Sequence, residues 1–372
     1  MADTFYFSRD TKVHLTDSQS AVYNIPVLDG FSFSQATNVT EVTLNEMATS
    51  SGVSRRARQM FTDSYAPAEW SFSTYIRPFT SGGGGSGGEH SSAYSHVVEE
   101  ALWNALAGSA AIGQSGAGFT SSDANGADLA FTNSNKTTLD TFDLHFELGS
   151  GKSTPTIYKI ADCVVNEVSI DFDIDGIATA NWSGFGSIIT EESSMTTATI
   201  YEGTAATDTG NFIRNRLTDL TVTATAAGDI TTAYSLTLTG GNITISNNMT
   251  YLTPETLGIV NQPLGHVTGT RSVSGNFTCY LNTPSSGTSS ADLFEDIIES
   301  TSVITNDFNL VFVIGGTGNT NIVTITLPTC HLEVPTHSID DLISLETNFH
   351  ALPTSVDGTD EITMEFKGTT VT

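Results

Sequence analysis

Two stretches of the chain alternate apolar and polar side chains with a period of two: Phe142-Asp-Leu-His-Phe-Glu-Leu148 and Phe308-Asn-Leu-Val-Phe-Val-Ile314. That period marks a strand with one buried face. Each stretch runs into a glycine-rich turn, Gly149-Ser-Gly-Lys-Ser153 in one case and Gly315-Gly-Thr-Gly-Asn319 in the other. A second strand follows in each and reaches a cysteine, through Ile160-Ala-Asp-Cys163 and Leu327-Pro-Thr-Cys330. Beyond the cysteines, Asn181-Trp182 and Asn348-Phe349 fall at the same spacing. Upstream, Phe31-Ser-Phe-Ser34 parallels Ile243-Thr-Ile-Ser246, and Phe72-Ser-Thr-Tyr75-Ile76 parallels Phe277-Thr-Cys-Tyr280-Leu281. One short helical pattern sits between them in each half. His96 to Leu106 places Val98, Leu102 and Leu106 on one face, and Asp292 to Ile298 follows the capping serines Ser289 and Ser290.

The repeated order predicts a duplicated, mainly β fold with one short helix per unit. The units cover about 20–190 and 232–366, which divides the chain into 1–190, a connecting segment 191–231, and 232–372. The first unit carries an insert at about 37–66, read as an extended hairpin whose far side holds Arg55, Arg56 and Arg58. A second insert, 107–140, is rich in Gly, Ser, Ala and Asn and reads as surface loop, as does the glycine run Gly82–Gly88.

Composition narrows the function. With 13 Lys+Arg against 41 Asp+Glu in 372 residues, the formal charge is 13 − 41 = −28. So acidic a chain is unsuited to gripping nucleic acid or an anionic membrane, because phosphate binding needs a basic surface. The first residues, MADTFYFSRD, interrupt any apolar run of the kind a signal peptide needs. No stretch approaches the roughly 18 apolar residues of a membrane span. Cys163, Cys279 and Cys330 are too few for a fully paired framework, and their spacing suits no zinc site, so they read as buried free thiols.

The sequence offers fragments of chemical motifs. Gly151-Lys152-Ser153 ends like a phosphate-binding loop, but Phe146 stands where its first glycine belongs. Asp171-Phe-Asp173-Ile-Asp175-Gly176 opens like a calcium loop, but Trp182 replaces its closing Glu; the alternation points to an acidic strand face instead. His331 and His337 form no ligand pair, and Ser115 lacks the second glycine and preceding strand of a nucleophile elbow. No catalytic residues, metal site or cofactor site are expected. Arg55, Arg56 and Arg58 concentrate positive charge on one loop of an acidic molecule, which suits contact with an acidic surface of an identical copy.

Two fused β-units, a helix in each, a basic hairpin in the first and the segment Pro67-Ala-Glu-Trp70-Ser-Phe-Ser-Thr-Tyr75-Ile-Arg77-Pro78-Phe79 together resemble a bacteriophage tail tube (major tail) protein with two tube domains in one chain. The resemblance implies β-sandwich/barrel domains whose long strands close an inner β-barrel in a ring. It implies a homotrimeric, pseudo-hexameric ring and stacked rings that form the virion's DNA conduit, built from protein made in the host cytoplasm. Implied partners are further copies of the chain, tail tip and terminator proteins, and tape-measure protein and DNA as transient contents, with no membrane and no cofactor. Asp143, Glu147, Asp171, Asp173, Asp340 and Asp341 are then expected to face the lumen, and Arg55, Arg56 and Arg58 to make inter-ring contacts. Another virion structural protein, such as a capsid decoration protein, or a surface-binding adhesin shares the composition and remains the alternative.

Overall fold

The alternating segments form strands in a computed structural model that describes residues 5–42, 59–81, 94–121, 126–131, 138–152, 154–195, 200–201, 208–224, 233–253, 263–283, 288–299, 308–318 and 320–371. The first half contains β1 (Thr11–Thr16), β2 (Val22–Ile25), β3 (Ser32–Glu41), β4 (Met60–Tyr75), helix α1 (Glu100–Ala107), β5 (Phe142–Leu148), β6 (Thr156–Asp171) and β7 (Thr179–Gly186). The second contains β8 (Asp219–Ala224), β9 (Ala233–Leu236), β10 (Leu238–Ser246), β11 (Ser272–Tyr280), helix α2 (Ser290–Glu299), β12 (Phe308–Ile314), β13 (Ile322–Leu332), β14 (Thr336–Ile339), β15 (Ile343–Ala351) and β16 (Thr363–Lys367).

The pairings repeat with the elements. In the first half β3, β4, β7 and β6 lie side by side, all antiparallel. In the second, β10, β11 and β15 do the same, and β15 is flanked by the end of β13 and by β14. The two runs join where Glu167–Asp171 of β6 pairs with Asn242–Ser246 of β10. A second layer repeats as well: β1 pairs with β2 and β5, and β5 with the start of β6, as β8 pairs with β9 and β12, and β12 with the start of β13. Each copy opens with a 3-10 turn, Ser8–Asp10 before β1 and Asn215–Leu217 before β8. The structural repeat therefore reaches into the segment read above as a connection.

The long strands pass between layers at a bulge. Register slips between Ile160 and Cys163, where Asp162 has φ +51, and again opposite the Leu327–Cys330 step. In both copies the buried cysteine thiol donates to the carbonyl three residues back, Cys163 to Ile160 and Cys330 to Leu327. Traced strand to strand among the described residues, the pairings never return to their starting strand. Among the described strands, one chain closes no barrel.

Between the layers runs one apolar core that includes Trp70, Phe72, Val168, Ile170, Trp182, Ile243, Phe312 and Phe349. All eight residues of α1 are buried, and Trp103 meets Trp182 edge to face at 4.7 Å. The helix is shorter than its apolar spacing predicted: His96 belongs to the strand Ser95–Val97. Helix α2 begins as its serines predicted, with the Asp292 amide donating to Ser289 Oγ and the Ser289 amide donating back to the Asp292 carboxylate. Two expectations need correction. Within 107–140, Phe119–Ser121 and Ala127–Ala130 form a hairpin that pairs with β16 of the other half and buries Phe119 and Leu129, which is not surface loop. The strand through Asp171 also ends there, and Asp173 lies in the turn that follows, with Gly176 at φ +143.

Candidate functional site

One face of the joined sheet is apolar and covered by the core; the other is polar and open. Antiparallel register places the open side chains in rows across the strands. One row runs Ser73, Asn181, Ser169, Thr244, Ser274, His350 and His331. The next runs Tyr75, Thr179, Asp171, Asn242, Asn276 and Asn348. Hydrogen bonds link residues within a row, between the rows and to carboxylates beside them. Ser73 donates to Asn181 (2.6 Å), Asn181 to Asp171 (2.6 Å), Asn276 to Glu346 (3.2 Å) and Asn348 to Glu333 (2.8 Å).

Asp171 and Glu346 are held in these bonds by neutral amides, whereas Glu333 also has His350 Nε2 3.7 Å away. The Asn348 amide, together with His350, holds the Glu333 carboxyl below the usual carboxylate range. Glu69, Glu167, Asp171, Glu333 and Glu346 belong to this region. The chain's 13 Lys and Arg place none on β3, β4, β7, β10, β11, β14 or β15, and on β6 only Lys159, in the part that pairs with β5. A groove of about 420 Å³ crosses the seam between the halves, lined by Asp171, Asp173, Gly240, Gly241, Asn242 and Asn276.

The sheet ends in two edges that no described strand covers. β3 pairs only with β4, and β14 only with β15. All four residues of β14 are exposed, Ile339 at 78%, and Leu342 in the adjoining turn is 65% exposed. Val39, Met60 and Phe61 are exposed toward the far end of the β3–β4 hairpin.

The predicted acidic residues separate into three places. Asp171 lies on the open face of the joined sheet. Asp173, Asp340 and Asp341 lie in the turns that follow β6 and β14. Asp143 and Glu147 lie on β5, in the other layer, and are partnered: Lys159 Nζ stands 2.6 Å from Asp143, and His14 Nε2 stands 3.5 Å from Glu147. Burial lowers the pKa of His14 and of its cross-strand neighbour His145. The six residues thus form no single acidic wall. Asp143, Glu147 and Asp171 lie on strands, as alternation expected, but alternation carries no information about which layer each strand joins. The neutral Ser, Thr and Asn rows that dominate the open face were missed; their signal was Lys/Arg-free strands alternating Ser, Thr or Asn with apolar residues. Arg55, Arg56 and Arg58 lie outside the described residues.

A second cavity, of about 690 Å³, is lined in part by His96, Glu100, Phe119 and Ser121. His96 Nδ1 is 2.8 Å from Glu100 and His96 Nε2 is 3.2 Å from Ser121 Oγ, the order of groups that activates a serine. The single Ser121 hydroxyl proton, however, points to the Ser95 carbonyl at 2.6 Å. In that geometry the array ties α1 to its flanking strands. Ser115 sits exposed in a turn, Lys152 in another, and all three cysteines are buried and unpaired. Among the described residues no group of three or more His, Cys, Asp or Glu is arranged to hold a metal ion, and no helix is long and apolar enough to cross a membrane.

Comparison with known proteins gives concordant results. A family model described as phage tail tube protein matches residues 32–368. The tail tube protein pb6 of Escherichia phage T5 is 31% identical over 343 residues, covering 91% of this chain and 69% of that protein.

Proposed function

The chain belongs to the phage tail tube protein family, and from that premise we propose that copies of it close into rings whose inner wall is the open face of the joined sheet, and that stacked rings conduct DNA. The observation that carries this reading is the open face itself: broad, hydroxyl- and amide-rich, acidic where charged, and without Lys or Arg. A polyanion passing a basic wall would be held at each phosphate, whereas a neutral to acidic wall repels it weakly and evenly. The free edges support closure. β14 and β3 stand at the two ends of the sheet as β6 and β10 stand at its internal seam, so a neighbouring chain's β3 beside β14 would repeat the seam between molecules. Closure removes edges that would otherwise pair indiscriminately.

Each chain supplies two copies of the unit, which makes three chains per ring the natural count for a pseudo-sixfold barrel. The exposed Val39, Met60 and Phe61, with Arg55, Arg56 and Arg58 in the sequence between β3 and β4, suit a contact between successive rings. Tail tip, terminator and tape-measure proteins are the expected further partners, the virion tail is the expected location, and no catalytic role is assigned. The test of the conduit is charge reversal. Tails built with Glu167→Lys and Asp171→Lys should assemble normally and deliver DNA several-fold more slowly. Delivery at the unaltered rate would remove the electrostatic part of the reading.

A further inference from the structure

Inside the chain, the seam between halves has a second point of attachment besides β6 and β10. The segment Ile213–Leu217, just before β8, is laid over the turn that follows β6. The Ala178 amide donates to the Ile213 carbonyl and the Asn215 amide to the Gly176 carbonyl, and Arg216 faces Asp175 at 3.7 Å. Leu217 in turn rests on Gly316 of the β12–β13 turn, where an added Cβ would come within 2.5 Å of its carbonyl oxygen. The second half is thus clipped to the first by the 3-10 turn that opens it.

The first half opens with the same device. Ser8–Asp10 is a 3-10 turn before β1, as Asn215–Leu217 is before β8, and Arg9 holds the middle position that Arg216 holds there. The segment lies on the β5–β6 turn as its counterpart lies on β12–β13. Tyr6 packs over Gly149, Lys152 sits 4.4 Å from the Tyr6 ring, and the Ser150 amide donates to the Asp10 carbonyl. Among the described residues this turn grips no turn of another half, unlike its counterpart. Phe5, Tyr6 and Phe7 remain exposed at 72, 46 and 52%. At the other end of the molecule, the short turn 340–342 between β14 and β15 stands where the longer turn 172–178 follows β6, and none of the described residues covers it. Ile339 and Leu342 are exposed there beside Asp340 and Asp341.

We infer that the N-terminal segment Phe5–Asp10 of one copy docks on the Ile339–Ile343 turn of the next, with Arg9 and Lys152 facing Asp340 and Asp341. The inference rests on the ring reading above and specifies its joint. The occupant is a second copy of this chain because the internal clip supplies the template. Both surfaces are apolar and exposed, and one is basic while the other is acidic. The joint is heterologous, so repeating it gives a ring where the rotation closes and an open filament where it does not.

Counted at the spacing that separates Cys163 from Cys330, Asp175 falls at Leu342, beside Asp340 and Asp341, and Arg216 corresponds to Arg9, which defines the experiment. Full-length Arg9→Cys and Leu342→Cys chains are mixed under mild oxidation and resolved by non-reducing electrophoresis, with light scattering of the same samples. The mixture should yield at least tenfold more disulfide-linked dimer than either variant alone; the three native thiols are buried and act as an internal blank. In a second arm, Arg9→Glu should raise the concentration needed for association about tenfold, and adding Asp340→Arg with Asp341→Arg should restore it. Chains that associate by light scattering without preferential cross-linking and without charge rescue would overturn this docking alone. Chains that show no association at all would overturn the ring reading and the docking with it.

Discussion

The seam and the edges of the joined sheet are built on one pattern but lie in different surroundings. At the seam, Val168 and Ile170 of β6 pair with Ile245 and Ile243 of β10, and all four are 0% exposed. At the far edge, β6's counterpart is broken: β13 stops at Leu332, Glu333-Val334-Pro335 intervenes, and β14 resumes with all four residues exposed. Proline there removes a donor from the ladder, and short, interrupted strands are how proteins keep edges from pairing at random. The difference teaches that an internal joint can be continuous because its partner is tethered, whereas an external joint must leave the free molecule soluble and still accept its partner.

The largest test of that contrast is a matched pair of substitutions. Ile243→Ala at the seam should cost about 2–5 kcal/mol in urea unfolding. Ile339→Ala at the edge should change monomer stability by less than about 0.5 kcal/mol yet weaken self-association. Equal losses at the two sites would mean that the edge is not a vacant copy of the seam.

The helix starts sharpen the comparison between halves. Ser289 caps α2 through its hydroxyl, whereas the residue before α1 is Glu99, only 1% exposed, facing Arg77 with Nε 3.7 Å away. Burial, against the opposing pull of Arg77, raises the Glu99 pKa to about 7. A carboxyl raised above its unfolded value near 4.5 binds its proton more tightly when folded, so stability falls as pH rises from about 4.5 to 7. The amplitude is about 3 kcal/mol. Glu99→Gln should flatten that slope in denaturation measured at successive pH values; an unchanged slope would assign it elsewhere. His14 and His145 act in the opposite sense, since their lowered pKa values cost stability as pH falls below about 6.5. The smallest expected effect is Ser289→Ala, about 1 kcal/mol by thermal unfolding, from loss of the α2 cap alone.

Much of this was legible in the sequence for a physical reason. Alternation with period two reports which side chains are buried, and it located β5, β12 and the strands that reach Cys163 and Cys330. Even the bulges leave a trace, because Ile160 and Cys163 are three apart and both buried, a phase slip that alternation alone forbids. What alternation cannot report is the layer a strand joins, so Asp143 and Asp171 were read as one surface. The opening of each repeat was also hidden. Lys12-Val-His-Leu15 and Leu220-Thr-Val222 share little beyond the polarity of their inward positions, and the 3-10 turns before them share Arg9 and Arg216 alone. The hairpin of Phe119–Ser121 and Ala127–Ala130 escaped notice because its strands are short and set among glycines.

The central claim is that free edges on separate chains meet as β6 and β10 meet within one. Electron microscopy of the purified protein at high concentration, with mass from light scattering on the same sample, tests it most directly. The account predicts hollow rings or tubes with three chains per ring. A monodisperse monomer at every concentration, or a ring with any other number of chains, would contradict it.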